Sequence, residues 1–168
     1  MRSSRRGFIC GPRSNGSSLG RRIPDRARRS RNKSPVKSRY VIDGSRFGTL
    51  EEFAAHFSER VLRDHVWLGN LDAFDDILYG GFGTPEEGFI LIWRDSALSR
   101  ARLGHVETAR QLHKRLATCH PSNRGAVATQ LQRAQRGDGP TVFDWLLEII
   151  RRHDPAEVDA GGIELLLE

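Results

Sequence analysis

Between Gly69 and Gly80 the chain reads Gly-Asn-Leu-Asp-Ala-Phe-Asp-Asp-Ile-Leu-Tyr-Gly, so Asp72, Asp75, Asp76 and Tyr79 fall at i, i+3, i+4 and i+7. On a helix this spacing puts three carboxylates and a phenol on one face. Like charges so placed repel one another, and aspartate is among the poorer helix formers, so the stripe costs stability. Asp72, in the first turn, complements the helix dipole; Asp75 and Asp76 lie further in, where that compensation fades. Three chemistries suit such a face: a solvated acidic surface, a divalent-cation site, or a docking surface for a strongly basic partner. Neither a DxDxDG loop nor a Glu-x-x-His pair accompanies the acids, as common carboxylate metal sites would require. General acid–base catalysis would need a nearby histidine or a basic clamp, and the segment has none. A helix does hold carboxylates in rigid positions, where the Arg and Lys of a partner can be met with little ordering cost.

The elements that position this stripe can be read from periodicity and capping. Tyr40-Val41-Ile42 reads as a short strand closed by Asp43-Gly44. Thr49 with Glu52 has capping-box spacing, and Leu50, Phe53, Ala54, Phe57 and Val61 make one apolar helix face. The stripe belongs to a second helix that follows Gly69-Asn70 and ends at Gly80-Gly81, with Leu71, Phe74, Ile77 and Leu78 on its apolar side. Phe89-Ile90-Leu91-Ile92-Trp93 is a continuous apolar run, which predicts a central strand covered by helices on both faces. A short helix to about Leu103 follows, then helical stretches from about Glu107 to Ala117 and from about Ala126 to Arg136. A long helix from Thr141 to His153 buries Val142, Trp145, Leu146 and Ile149, and Ile163 to Leu167 forms the last strand; Trp93 and Trp145 are expected in the core. The order predicts an α/β fold, a three-stranded parallel sheet packed with α-helices, plus a helical insertion.

With these elements in place, the stretch Asn70-Leu71-Asp72-Ala73-Phe74-x-Asp76 with Gly80 after it, the strand end Ile92-Trp93-Arg94, a late helix containing Glu148 and a final apolar strand together resemble the barstar family of intracellular ribonuclease inhibitors. The resemblance covers about residues 39–100 and 139–168, with the stretch between them an insertion relative to the type member. It implies a barstar-like fold and a non-catalytic protein that plugs the active site of a small basic ribonuclease with the second helix and the segment before it. By position it makes Asp76 the central acid, imitating an RNA phosphate, and puts Asp72 at the edge of the same site. It places Asn70 and Leu71 in the contact surface, ends the helix against the enzyme at Gly80, and adds Glu148 as a peripheral acid. Val66 and Trp67 stand where the type member has two tyrosines, so Trp67 keeps one ring. Asp75 replaces a tryptophan, as does Gly81, which Phe82 follows. Asp75 and Tyr79 complete the expected partner-binding set from the stripe itself.

The 168 residues carry a formal charge of +6 and a pI near 10.1, which taken whole points to nucleic acid or an anionic surface. The charge is unevenly placed. Residues 1–39 hold 13 Lys and Arg against Asp25, a net of +12; residues 101–136 hold seven bases against Glu107, a net of +6; the rest of the chain is net −12. Residues 1–38 have too little apolar surface to offset ordering entropy and are expected to be a disordered Arg/Ser-rich basic extension. Residues 39–168 form the barstar-like domain, with the basic helical insertion at about 101–139 read as a cover packed on the body. Cys10 and Cys119 fit no disulfide or zinc spacing, and His105, His113, Cys119 and His120 match no common zinc set, so neither metal nor cofactor is expected. No apolar run approaches the roughly 18 residues of a membrane span, and the first ten residues lack a secretory apolar region, so a reducing, cytoplasmic setting is expected. Phosphate loops and nucleophile elbows are lacking too, so no enzyme is expected. The reading is a monomeric inhibitor of a basic ribonuclease, an antitoxin-like immunity protein. The alternative is an RNA-associated protein that uses the basic tail and insertion, with the barstar-like body as scaffold.

Overall fold

The structure is a computed structural model, which describes residues 37–62, 64–80, 83–158 and 161–168. The expected basic extension lies, up to residue 36, outside the described residues. Lys37 and Ser38 already belong to the fold: Lys37 Nζ donates to Gly162 O at 2.9 Å, and Ser38 opens the first strand.

The described elements are β1 (Ser38–Asp43), a 3-10 turn (Gly44–Arg46), α1 (Leu50–Val61), α2 (Leu71–Tyr79), β2 (Phe89–Arg94), α3 (Ser96–Arg102), α4 (His105–Thr118), a second 3-10 turn (Pro121–Asn123), α5 (Arg124–Gln135), α6 (Val142–Arg152) and β3 (Ile163–Leu167). The strands form one parallel sheet in the order β1-β2-β3, with Ile42 opposite Trp93, and Leu91 flanked by Tyr40 and Leu165. The α/β architecture and element order expected from the sequence are therefore present.

One expectation about the sheet is corrected. Phe89, Leu91 and Trp93 are fully buried, but the alternate residues Ile90 and Ile92 are only half-buried, so among the described residues helices cover β2 on one face rather than two. Topology explains this, because successive crossovers of the same hand that step in the same direction along a sheet lay their helices on the same side. α1, α2 and α6 accordingly share one core with the buried sheet face. Its centre is aromatic: Phe53 stacks on Trp93 with centroids 5.2 Å apart and meets Phe74 edge-on at 6.1 Å, while Phe57 meets Phe74 at 5.1 Å.

The residues between α3 and α6 form a helical hairpin, α4 against α5, with a small core of Leu112, Val127, Leu131 and Ala134. Its seam with the body is polar. Glu107 is buried, accepts the Leu50 backbone N–H at 2.9 Å at the start of α1, and pairs with Arg110 at 2.6 Å. Arg110 and Lys114 both pair with Glu51 of α1, and Gln111 donates to the same carboxylate. Thr108 Oγ1 accepts the Val142 N–H at 2.9 Å at the start of α6. The hairpin is a cover fastened to the body. Trp145, expected in the core, is half-buried: it packs against both the main core and the hairpin core, but its remaining surface lines open cavities.

Candidate functional site

The start of α2 is fixed from both directions. Asn70 caps the helix, its side chain accepting the Asp72 N–H at 3.0 Å. Its carbonyl accepts the Trp67 indole N–H at 2.7 Å, and the Trp67 backbone N–H donates to Ser58 Oγ of α1 at 2.9 Å. Trp67 itself is 3% exposed and stacks on Phe74 with centroids 4.3 Å apart. This corrects the expectation that Trp67 meets a partner: it is a core residue that sets the position of α2. The preceding segment is extended, so side chains alternate, and Trp67 pointing inward leaves Val66 and Leu68, 76% and 83% exposed, pointing outward. Alternation puts these two residues opposite Trp67 but does not say which side is inside, so no sequence signal marked them.

The helix ends at Gly80, whose φ of 119° is one that residues with a Cβ rarely adopt; its N–H reaches Ile77 O at 3.3 Å. Thr84 Oγ1 donates to the same carbonyl at 3.0 Å. Phe74, Ile77 and Leu78 are buried and Leu71 is half-buried, leaving Asp72, Asp76 and the 86%-exposed Tyr79 on the outer face. Gly81 and Phe82, where the sequence departs from the family type member, lie outside the described residues.

The acids of the stripe are not equivalent. Asp75 is half-buried, 3.0 Å from Nε2 of the buried His153 and 3.8 Å from Arg152, both at the end of α6. It fastens α2 to α6 while its side chain stays 42% exposed and lines the same open cavity as Asp72 and Asp76. Glu148 is exposed on α6 and paired with Arg152 at 3.2 Å. Asp72 and Asp76 make no ion pair with any described residue. Two exposed carboxylates one helical turn apart, on a helix pinned at both ends, are a rigid acceptor for two cations or for one guanidinium. Among the described residues no group of three or more His, Cys, Asp or Glu side chains could hold a metal.

This face is not flat. An open cavity of about 410 Å³ is lined by the acids Asp72, Asp75, Asp76 and Glu148 and by two arginines, Arg152 of α6 and Arg115 of α4. In the sequence Arg115 is one of several basic residues of the insertion, which could be a cover or a second contact surface; its place beside the acids of α2 was not legible, because nothing in one dimension says which side of the body the hairpin covers.

A protein-family model described as Barstar (barnase inhibitor) matches residues 38–122. The chain belongs to the barstar family. The match runs without a break from β1 through α2, β2 and α4 to the second 3-10 turn; α5, α6 and β3 lie beyond it. Barnase inhibition is the function that this family's description carries, so at family level the chain is grouped with inhibitors and not with enzymes. No individual curated protein matches the chain. No described helix is long and apolar enough to cross a membrane.

Proposed function

We propose that the protein binds a small basic ribonuclease of the barnase type and blocks its active site with α2. The observation that carries this is the pair Asp72 and Asp76, exposed and, among the described residues, unpaired, while neighbouring Asp75 and Glu148 are held by Arg152 and His153. Asp76 stands in for an RNA phosphate among the cations of the enzyme's catalytic site, and Asp72 takes a cation at its edge. Exposed Val66 and Leu68 before the helix and Tyr79 at its end supply the apolar and aromatic surface that surrounds and dries such contacts. Asn70, Leu71 and Gly80 hold the backbone at the two ends of that surface, and Glu148 adds charge at its margin. The inhibitor acts in the cytoplasm as a monomer, protecting the producing cell before its ribonuclease is exported.

The RNA-binding alternative draws less support. Its helical half rests on cations of the hairpin, and Arg110, Lys114 and Arg133 are already paired with Glu51, Glu107 and Asp138.

The test is to titrate the full chain into a panel of small guanyl-specific ribonucleases at micromolar concentration. One-to-one loss of activity is expected for at least one of them. Full activity across the panel would remove the inhibitor reading.

A further inference from the structure

A second cavity of about 530 Å³ adjoins the first, and the two share Leu71, Asp72, Arg115 and Trp145. Together they make one trough between α2 and the hairpin. α2 forms the acidic wall with Asp72 and Asp76; the last turn of α4 forms the opposite wall, where Arg115 stands beside Thr118 and His120. Trp145 lines both cavities between the two walls.

The free charges in this trough have opposite signs on opposite walls. Arg110 and Lys114, on the same helix as Arg115, are committed to Glu51 and Glu107. Arg115 is exposed and makes no ion pair with any described residue, and neither do Asp72 and Asp76. The two walls form no direct ion pair with each other, so both remain available to whatever fills the gap. The wall carrying Arg115 is also fixed in place, because the Glu51 and Glu107 network and the contact of Thr108 with Val142 tie α4 to α1 and α6. A cation on a fixed helix, facing two carboxylates on another fixed helix and unpaired among the described residues, suits a ligand that carries both signs.

We propose that the last turn of α4 is a second wall of the inhibitory face, and that the trough takes a loop of the ribonuclease partner bearing a carboxylate opposite Arg115 beside the cations that meet Asp72 and Asp76. The proposal rests on the ribonuclease reading and adds the kind of enzyme selected. Asp72 and Arg115 both line the two cavities, so an enzyme loop that enters the trough at Asp72 lies beside Arg115. A ribonuclease with an acidic residue at the rim of its active-site cleft is then retained, whereas one with a basic rim meets a like charge and is refused. RNA does not suit the trough, since its phosphates would face the carboxylates of α2.

The sign of one substitution separates this from a simple acidic site. If the face worked by negative charge alone, replacing Arg115 with glutamate would tighten its hold on a basic enzyme. With the ribonuclease of the panel that the full chain inhibits best, Arg115→Glu is expected to weaken binding at least tenfold, mainly by faster dissociation. Arg124→Glu, on an exposed residue at the start of α5, is expected to stay within twofold. Exchanging the facing rim carboxylate of the enzyme for lysine should restore binding to Arg115→Glu. Unchanged or tighter binding by Arg115→Glu, while Asp76→Ala still loses its hold, would overturn the second wall and leave the inhibitor reading standing. Inhibition of no ribonuclease at all would overturn both.

Discussion

Asp75 and Asp76 are neighbours in sequence with different fates in the fold, and the difference sets what each substitution should do. Asp76 is exposed and has no ion-pair partner among the described residues, which leaves its carboxylate to be desolvated against the cations of a partner. Asp76→Ala is expected to cost about 2 kcal/mol or more of binding to the inhibited ribonuclease, the general threshold for an interfacial hot spot, a rule drawn in part from complexes of this family. Titration calorimetry of the variant series would measure it, and a larger loss from Glu148→Ala would mean that the site is centred elsewhere. Asp75→Ala should instead lower the melting temperature, because it frees α2 from His153 and Arg152, and should cost less affinity than Asp76→Ala. A second residue-scale prediction concerns His56. The buried ring accepts the Asp43 backbone N–H on Nε2 at 3.0 Å, so it is neutral in the fold. Burial, and after it the Arg60 charge, hold its pKa below the usual value, with Glu59 and Asp43 pulling the other way and Arg46 adding to the lowering. The unfolded chain therefore binds a proton that the fold refuses. Stability present at neutral pH is lost as the pH falls below about 6.5 towards the lower folded value. Urea melts at pH 7.5 and 5.5 should show a drop in the wild type that shrinks in His56→Gln; equal drops in both would exclude His56 as the cause.

At the scale of elements, the decisive relation is between the hairpin and the body. Burial alone would raise the Glu51 carboxyl, but hydrogen bonds from Gln111, Lys114 and Arg110 outweigh it and hold the group at about 2. The stability that this carboxylate contributes is present above its usual value of 4.5 and lost as the pH falls towards about 2. Glu107 is the more sensitive point, since it accepts the Leu50 N–H as well as pairing with Arg110. Glu107→Ala leaves that buried donor without an acceptor and should cost about 1–3 kcal/mol in denaturant melts. Glu107→Gln keeps an oxygen for Leu50 and should recover part of the loss; if the two variants were equal, the Leu50 contact would contribute nothing. The boundaries of α2 were legible in the sequence because they depend on local chemistry, an asparagine that can cap and a glycine that can take positive φ. The inward turn of Trp67 was not, because an indole flanked by Val66 and Leu68 has no local reason to prefer either side until α1 offers Ser58 Oγ and the Asn70 carbonyl is in place. The bond from Asp75 to His153 spans 78 residues, and the trough exists only once the hairpin has docked. Similarly, the apolar run of β2 could not distinguish one covered face from two, since the side of the sheet that receives the helices is a property of the crossovers.

For the whole molecule, net charge and local field point in opposite directions. The chain is net +6, and its supposed partner is basic too, so two net-positive proteins would be expected to repel. Charges are felt over only about 8 Å at physiological ionic strength, however, and the partner approaching α2 meets Asp72 and Asp76, which no described residue pairs, with the rest of the body contributing acid in excess. Outside residues 1–39 and 101–136 the chain is net −12. If the local field governs the encounter, the association rate constant with the inhibited ribonuclease should fall as salt is raised from about 0.05 to about 0.5 M, by about tenfold, while the dissociation rate changes less. If net charge governed it, screening would relieve repulsion and the rate would rise. Stopped-flow mixing across that salt range reads the slope directly, and a rising slope would mean that the basic parts of the chain, not the acidic helix, dominate what an approaching enzyme encounters.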